Sequence, residues 1–228
     1  MILKSLKIFS QNVHKNRLLI DTILENNKNI NILFIQEPPW SIIHNIPSST
    51  SEEGEKIVSV SNHPLWTMFP RALNTENEHL RVLTYINIKL IRLCFSLRKD
   101  IFNHRDINLL FFFNRGIMCF LIIVYLDDHQ SALKYFKDIE MNLNNVLIMT
   151  RDLNIRDNDW DILYSHHSTH ADTIRKIADS FNLELLTLVN QVSTYYANNF
   201  QDMNSVLDLI FLCANIKEFN NQIISPDL

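Results

Sequence analysis

The apolar residues of this chain arrive in short runs rich in β-branched side chains, each stopped by polar residues, and this restricts the fold more than any other feature. The runs are LKIFSQNV at 6–13, INILFI at 30–35, KIVSV at 56–60, VLTYINI at 82–88, IRLCFSL at 91–97, LLFFF at 109–113, IMCFLIIVY at 117–125, VLIMT at 146–150 and VLDLIFLC at 206–213. Each has strand length and composition, and each is too short for a buried helix. Helical spacing interrupts them in three places. Leu18, Leu19, Ile23 and Leu24 follow the first run; Ser131 can cap a helix carrying Leu133, Phe136, Ile139 and Leu143; a further helix is expected over 172–181. The middle of the chain reads as an antiparallel meander, and strand–helix alternation returns after it. The 30–35 run ends at Glu37-Pro38-Pro39, because consecutive prolines cannot continue a ladder. Residues 40–55, rich in Ser, Pro, Asn and Glu, read as an exposed, mobile loop.

With 228 residues, 46% hydrophobic and 20% charged, the chain is expected to form one α/β domain spanning 1–228. A net charge of −4 and pI near 6.1 exclude a broad basic surface, so nucleic acid as a partner is allowed by charge but not indicated by it. Cys94, Cys119 and Cys213 are far apart, without C-x-x-C spacing, and read as buried thiols of a reducing compartment. The first residues, MILKSLKIFSQN, lack a secretory h-region, which points to the cytosol or nucleus. The most membrane-like stretch, 107–126, is broken by Asn114-Arg115-Gly116 and falls short of the roughly 20 apolar residues a spanning helix needs. No membrane and no obligate protein partner is expected.

Candidate chemistry gathers at the carboxyl ends of the strand-like runs. Asn12, Glu37, and Asp152 with Asn154 lie at or just past such ends, and Asp208 lies within the last run. Sparse carboxylates supported by amides suit a hard divalent cation, which takes one or two carboxylates together with water and substrate phosphate.

These residues also carry a resemblance. SQN at 10–12, IQEPPW at 35–40, VYLDD at 124–128, TRDLNIRDNDWD at 150–161 and NSVLDLIFL at 204–212 resemble, in order, the motifs of the endonuclease/exonuclease/phosphatase superfamily. The nearest likeness is to the apurinic-type endonuclease domain of non-long-terminal-repeat retrotransposons, especially the fungal kind. HRDINLLFFFN at 104–114 and IADSFNLEL at 177–185 add to it. The resemblance implies a four-layer α/β sandwich of two packed, mostly antiparallel sheets flanked by helices. It implies hydrolysis of a DNA phosphodiester with Mg²⁺ or Mn²⁺. Glu37 would be the chief metal ligand, steadied by Asn12. Tyr125 would contact the scissile phosphate or assist the leaving oxygen. Asp152 would activate the attacking water, Asn154 would orient it, and Asp208 would buttress a phosphate-binding histidine.

The chain departs from that pattern at several places. Arg151 stands where the family has glycine, Ile123 where it has asparagine before Val-Tyr, and Tyr195 where the subfamily often has arginine. The family closes with Ser-Asp-His and a further strand, whereas this sequence stops at Asp227-Leu228. The expectation is a domain lacking its closing strand and Asp208's histidine. Two alternatives accompany the endonuclease reading: an inactive relic of such a domain, and a superfamily phosphatase or phospholipid phosphodiesterase.

Other features take structural readings. His166, His167 and His170 are read as residues preceding a helix rather than as a metal site, and His14 as an exposed loop histidine. Trp160 is read as a packing residue, and Phe111 to Phe113 as strand interior.

Overall fold

The apolar run ILFI with Gln36 after it forms β2 (Ile32–Gln36), buried along its whole length. Only a strand covered on both faces reads this way. It is the second strand of a mixed four-stranded sheet in the order β1-β2-β6-β5, with β1 at Ile8–Asn12, β5 at Trp66–Phe69 and β6 at Val82–Asn87. The computed structural model describes residues 6–47, 56–59, 63–69, 79–114, 116–127, 129–139, 143–152, 155, 157–161, 164–186 and 208–213. The chain divides into two compact units, residues 1–125 and 126–228.

In the first unit, β1 runs parallel to β2, joined through α1 (Arg17–Asn26), and β6 lies antiparallel on the other side of β2. Asn16 caps α1 by accepting from the Leu19 amide at 3.2 Å, and at the far end the Asn27 amide donates to the Ile23 carbonyl at 3.1 Å. Alternation along the strands then assigns the faces. Leu33 and Ile35, paired with Tyr85 and Leu83, share a core with Ile20, Ile23 and Leu24 of α1. Burying each such aliphatic side chain contributes about 1.5–3 kcal/mol. Phe34, Gln36 and Thr84 point the opposite way. There Asn108 of β8 (Ile107–Asn114) donates to the Val82 carbonyl at 3.2 Å and to Thr84 Oγ1 at 3.3 Å, so a second sheet packs on this face. Within this unit it consists of β7 (Ser96–Leu97), β8 and β9 (Ile117–Tyr125), all antiparallel. The unit is thus an α/β sandwich: a helix, a mixed sheet, and an antiparallel sheet behind it.

The second unit has antiparallel β10 (Val146–Asp152), β12 (Asp208–Cys213) and β11 (Leu183–Leu185), with β12 in the middle. Two helices accompany them, α2 (Ser131–Asp138) and α3 (Thr169–Ser180). Ser168 caps α3, and the apolar face Ala171, Ile174, Ile177 and Ala178 is buried. No helix among the described residues is long and apolar enough to cross a membrane.

Several expectations need correction. Residues 91–97 are not one strand: Ile88–Leu93 is a 3₁₀ helix ending at Cys94 in the left-handed region, and only Ser96–Leu97 pairs. Asn87 explains this, because its side chain accepts from the Lys89 amide at 3.2 Å and turns the chain at the strand end. Residues 40–47 are not loop. Trp40–Ile42 is a 3₁₀ turn with Ile42 buried, and β3 (His44–Pro47) pairs with β4 (Lys56–Ser59). β5 was invisible in the sequence because Pro64 precedes it and only four residues pair. Ser131 does not cap α2; Gln130 does so by position, and Asp127 Oδ1 receives the Ser131 amide at 2.9 Å. Ile139 and Leu143 lie beyond the end of α2. Cys94 is exposed and Cys213 half-buried; Cys119 alone is a buried thiol. Asn154, Tyr195 and residues 214–228 lie outside the described residues.

Candidate active site

Glu37 follows the last residue of β2, and its backbone sits in the left-handed region at φ 46°. A non-glycine residue there is uncommon, and the neighbouring chain holds it from both sides. Its amide donates to the Arg81 carbonyl at 2.8 Å, and its own carbonyl accepts from the Lys15 amide at 2.8 Å. His14 and Lys15, just past β1, are also left-handed, at φ 45° and 61°. Asn12 makes this turn possible without glycine: its side-chain oxygen accepts from the His14 amide at 2.9 Å. The parallel pairing of β1 and β2, with Asn12 opposite Gln36, therefore delivers both carboxyl ends to one edge.

Three side chains converge on the Glu37 carboxylate. The Tyr125 hydroxyl donates to Oε1 at 2.7 Å, His14 Nδ1 lies 3.3 Å from Oε2, and the Asn12 amide donates as well. Asn12 thus uses its oxygen to build the turn and its nitrogen to hold the carboxylate. Burial pushes the Glu37 carboxyl up, but the hydrogen bonds from Tyr125 and Asn12, with the charge and hydrogen bond of His14, outweigh it. Its pKa falls below the ordinary carboxylate value. Glu37 is consequently an anion at neutral pH, and its side chain remains 22% exposed.

The Tyr125 ring is buried at the end of β9. Arg81 lies over it at 5.4 Å and pairs with the fully buried Asp106 at 3.7 Å. Asp106 in turn accepts the Tyr125 amide on its carbonyl at 2.9 Å. Ring, guanidinium and carboxylate so form a support that fixes where the phenol points. Glu37 supplies one hard carboxylate at this edge, the kind of ligand that Mg²⁺ or Mn²⁺ takes, while Tyr125, Asn12 and His14 hold it as hydrogen-bond and charge partners.

A second acidic group, Asp157, Asp159 and His167, brings its ligand-type atoms within 4.8 Å of one another. Arg175 already fills it, pairing with Asp157 at 3.1 Å, with Asp159 and with Asp172. Asp157 also accepts the Ser168 amide at 2.7 Å and the Asp159 amide at 3.0 Å. A guanidinium in the centre and backbone donors around it make this a loop fastening for the start of α3. His167 belongs to it, at 3.1 Å from Asp157 and 3.0 Å from Asp172. Trp160, buried and bonded through its indole nitrogen to the Ile155 carbonyl at 3.2 Å, packs as expected.

Of the residues expected from sequence, the structure brings together Asn12, Glu37 and Tyr125 in the first unit. Asp152 and Asp208 lie in the second, directly opposite each other as register partners of β10 and β12. His14 is exposed as expected, yet it also rests on Glu37, a contact its position in a turn did not disclose. Arg81 and Asp106 went unnoticed because their link to Tyr125 exists only through tertiary packing. Ile123 is fully buried opposite Asn108, so the polar group expected at 123 is absent and an amide stands across the ladder from it.

No protein-family profile and no curated protein matches this sequence. Solved structures do. The endonuclease domain of TRAS1, a telomere-specific non-LTR retrotransposon, is 15% identical, with 92% of this chain and 86% of that chain covered at a TM-score of 0.60. An endonuclease/exonuclease/phosphatase family protein from Leptotrichia buccalis is 12% identical over 91% and 87% of the two chains, at 0.47. Humanized D. rerio TDP2 is 15% identical over 91% and 83%, at 0.44. The fold expected from the motifs and the likeness to the TRAS1 domain agree: this chain has the α/β sandwich fold of that endonuclease domain.

Proposed function

We propose that this chain is a single-domain, Mg²⁺- or Mn²⁺-dependent phosphodiesterase, a DNA endonuclease of the retrotransposon type, acting in the cytosol or nucleus. The observation that carries the reading is the Glu37 carboxylate, held ionised at a strand-end edge by Tyr125, Asn12 and His14. Three polar side chains, from Asn12, His14 and Tyr125, are turned onto this carboxylate just past β2, and it stays partly open to solvent. Glu37 would hold the cation with Asn12 beside it, and a bound divalent ion would supply Lewis-acid polarisation of a phosphoryl oxygen.

The residues present account for the remaining work. Tyr125, oriented from one side by Glu37 and backed by Arg81, presents its hydroxyl at the same edge, where it can donate to a phosphate oxygen or to the departing alkoxide. The likeness in motifs assigns Asp152 the activation of water, Asn154 its orientation, and Asp208 the support of a phosphate contact. These belong to the proposal and are separately testable.

A plasmid-nicking assay tests it. The wild-type chain should nick supercoiled DNA with Mg²⁺ and not with EDTA, and Glu37→Gln and Asp152→Ala should each remove that activity. Nicking that survives both substitutions would show a different catalytic centre or a contaminating nuclease.

A further inference from the structure

Trp40 is the exposed exception among the three tryptophans of this chain. Trp66 and Trp160 are buried, and each donates its indole N–H to a backbone carbonyl, that of Leu24 at 2.9 Å and that of Ile155 at 3.2 Å. Trp40 is 48% exposed. Its neighbours Ile42 and Ile43 belong to the core under α1, while Trp40 does not. Leaving so large an apolar ring in water is unfavourable unless something covers it. One partner is present: the exposed His79 ring stacks on it almost parallel, at 7° with centroids 3.9 Å apart. A cation is beside it as well, with Lys15 Nζ 4.7 Å from the ring centroid.

This stack is tied to Glu37 through short, stiff connections. Trp40 follows Glu37 by three residues, two of them prolines, so the two Cα atoms lie within about 10 Å. Lys15, whose amide donates to the Glu37 carbonyl at 2.8 Å, is anchored to the same peptide. An exposed flat π surface, a flexible cation and a phosphodiester site at that spacing match what an unpaired nucleotide offers: a planar face joined to a phosphate.

We propose that Trp40, His79 and Lys15 form a step that takes an unpaired nucleobase flanking the phosphodiester at the Glu37 site, with the base continuing the aromatic stack and Lys15 turning to its phosphate. The proposal rests on the phosphodiesterase reading above. Bases inside an intact duplex have no free face to offer, so the step selects frayed, flipped or single-stranded nucleotides. A choline-type headgroup, the other ligand that aromatic rings attract, is disfavoured because Lys15 already places positive charge over the indole.

The test uses a short fluorescein-labelled oligothymidylate in EDTA, so that binding is read without any metal at Glu37. The emission of Trp40, exposed where the other two are buried, should be quenched by the unlabelled strand. Trp40→Ala should weaken binding about ten-fold or more, as loss of a stacked base typically does, and Trp40→Phe should recover part of it. An abasic phosphodiester strand of equal length should bind wild type as weakly as the oligothymidylate binds Trp40→Ala. Unchanged thermal melting of Trp40→Ala verifies that it folds. Equal affinity for the abasic strand and the oligothymidylate, or no effect of Trp40→Ala, would overturn the proposal while leaving the metal site untouched. Quenching in EDTA alongside a Mg²⁺ response that persists in Glu37→Gln would leave the step standing and overturn the metal assignment.

Discussion

Replacing Tyr125 by Phe removes one hydroxyl and little else. The ring stays buried at the end of β9, and Arg81 keeps its place over the aromatic face, so the variant isolates the 2.7 Å bond to Glu37. A hydrogen bond to a charged group contributes about 1.5–3 kcal/mol net. Glu37 is 22% exposed, so water replaces part of the lost donor, and the expected loss is about 1–2 kcal/mol near neutral pH. The loss depends on pH in a defined direction. The folded pKa of Glu37 is depressed, so the stability it contributes is full above the ordinary carboxylate value of 4.5 and fades as pH falls through the folded value. Without the Tyr125 donor the Glu37 pKa should rise, and wild type and variant should converge in acid. Urea titrations at a series of pH values from neutral to about 3 measure this as a difference in midpoint at constant slope. A difference that is the same at every pH would refute the reasoning, because it would mean that Tyr125 stabilises through packing and not through the Glu37 anion.

Other substitutions give equally definite expectations. Tyr85 is buried, its hydroxyl without a hydrogen-bond partner among the described residues, and burial with the nearby Asp21 charge pushes its pKa up; Tyr85→Phe should therefore be neutral or stabilising by up to about 1–2 kcal/mol in urea denaturation. Asp157 is fully buried and gathers Arg175, His167 and two backbone amides, so Asp157→Ala should cost about 3 kcal/mol or more by the same assay. Because Arg175 already fills that cluster, the wild-type melting temperature should not respond there to chelators, and the Asp157→Ala loss should be equal with and without EDTA. Glu37→Gln should abolish the rise in melting temperature that Mg²⁺ gives the wild type, read by scanning calorimetry.

The parts of the fold that were legible in the sequence are those set by local chemistry. The run read at 30–35 is apolar without alternation over 32–35 because both faces of β2 are covered, and Pro38 and Pro39 mark its end. The last helix was legible from its apolar spacing, but its cap Ser168 and the α1 cap Asn16 went unread, and Ser131, read as a cap, is not one. The failures come from structure that packing decides. IRLCFSL reads as a strand, but Asn87 redirects the backbone and Leu90 and Leu93 are buried from a 3₁₀ turn instead. His44–Pro47 pairs despite a proline because Pro47 is the final residue of a short strand. At the site, Asn12, Glu37 and Tyr125 were found because strand ends and motif order identify them. Arg81 and Asp106, the backing of Tyr125, lie on separate segments with no shared pattern, and only the sandwich brings them together. Left-handed backbone at His14, Lys15 and Glu37 was hidden too, since glycine, the usual signal of such turns, is absent from all three positions.

The most direct test of the account is where a divalent ion settles. Mn²⁺ titrated into isotope-labelled protein broadens nuclear resonances near its binding site, and the position of the broadening is the readout. The amides of Asn12, Glu37 and Tyr125 should broaden first. Gly116 should stay sharp, since it lies at the opposite end of the β8–β9 hairpin from Tyr125, about 30 Å away along the strand at roughly 3.4 Å per residue. Glu37→Gln should erase the effect. Broadening centred on Asp157, Asp159 and His167, or unchanged in Glu37→Gln, would contradict the assignment of Glu37 as the metal-holding carboxylate.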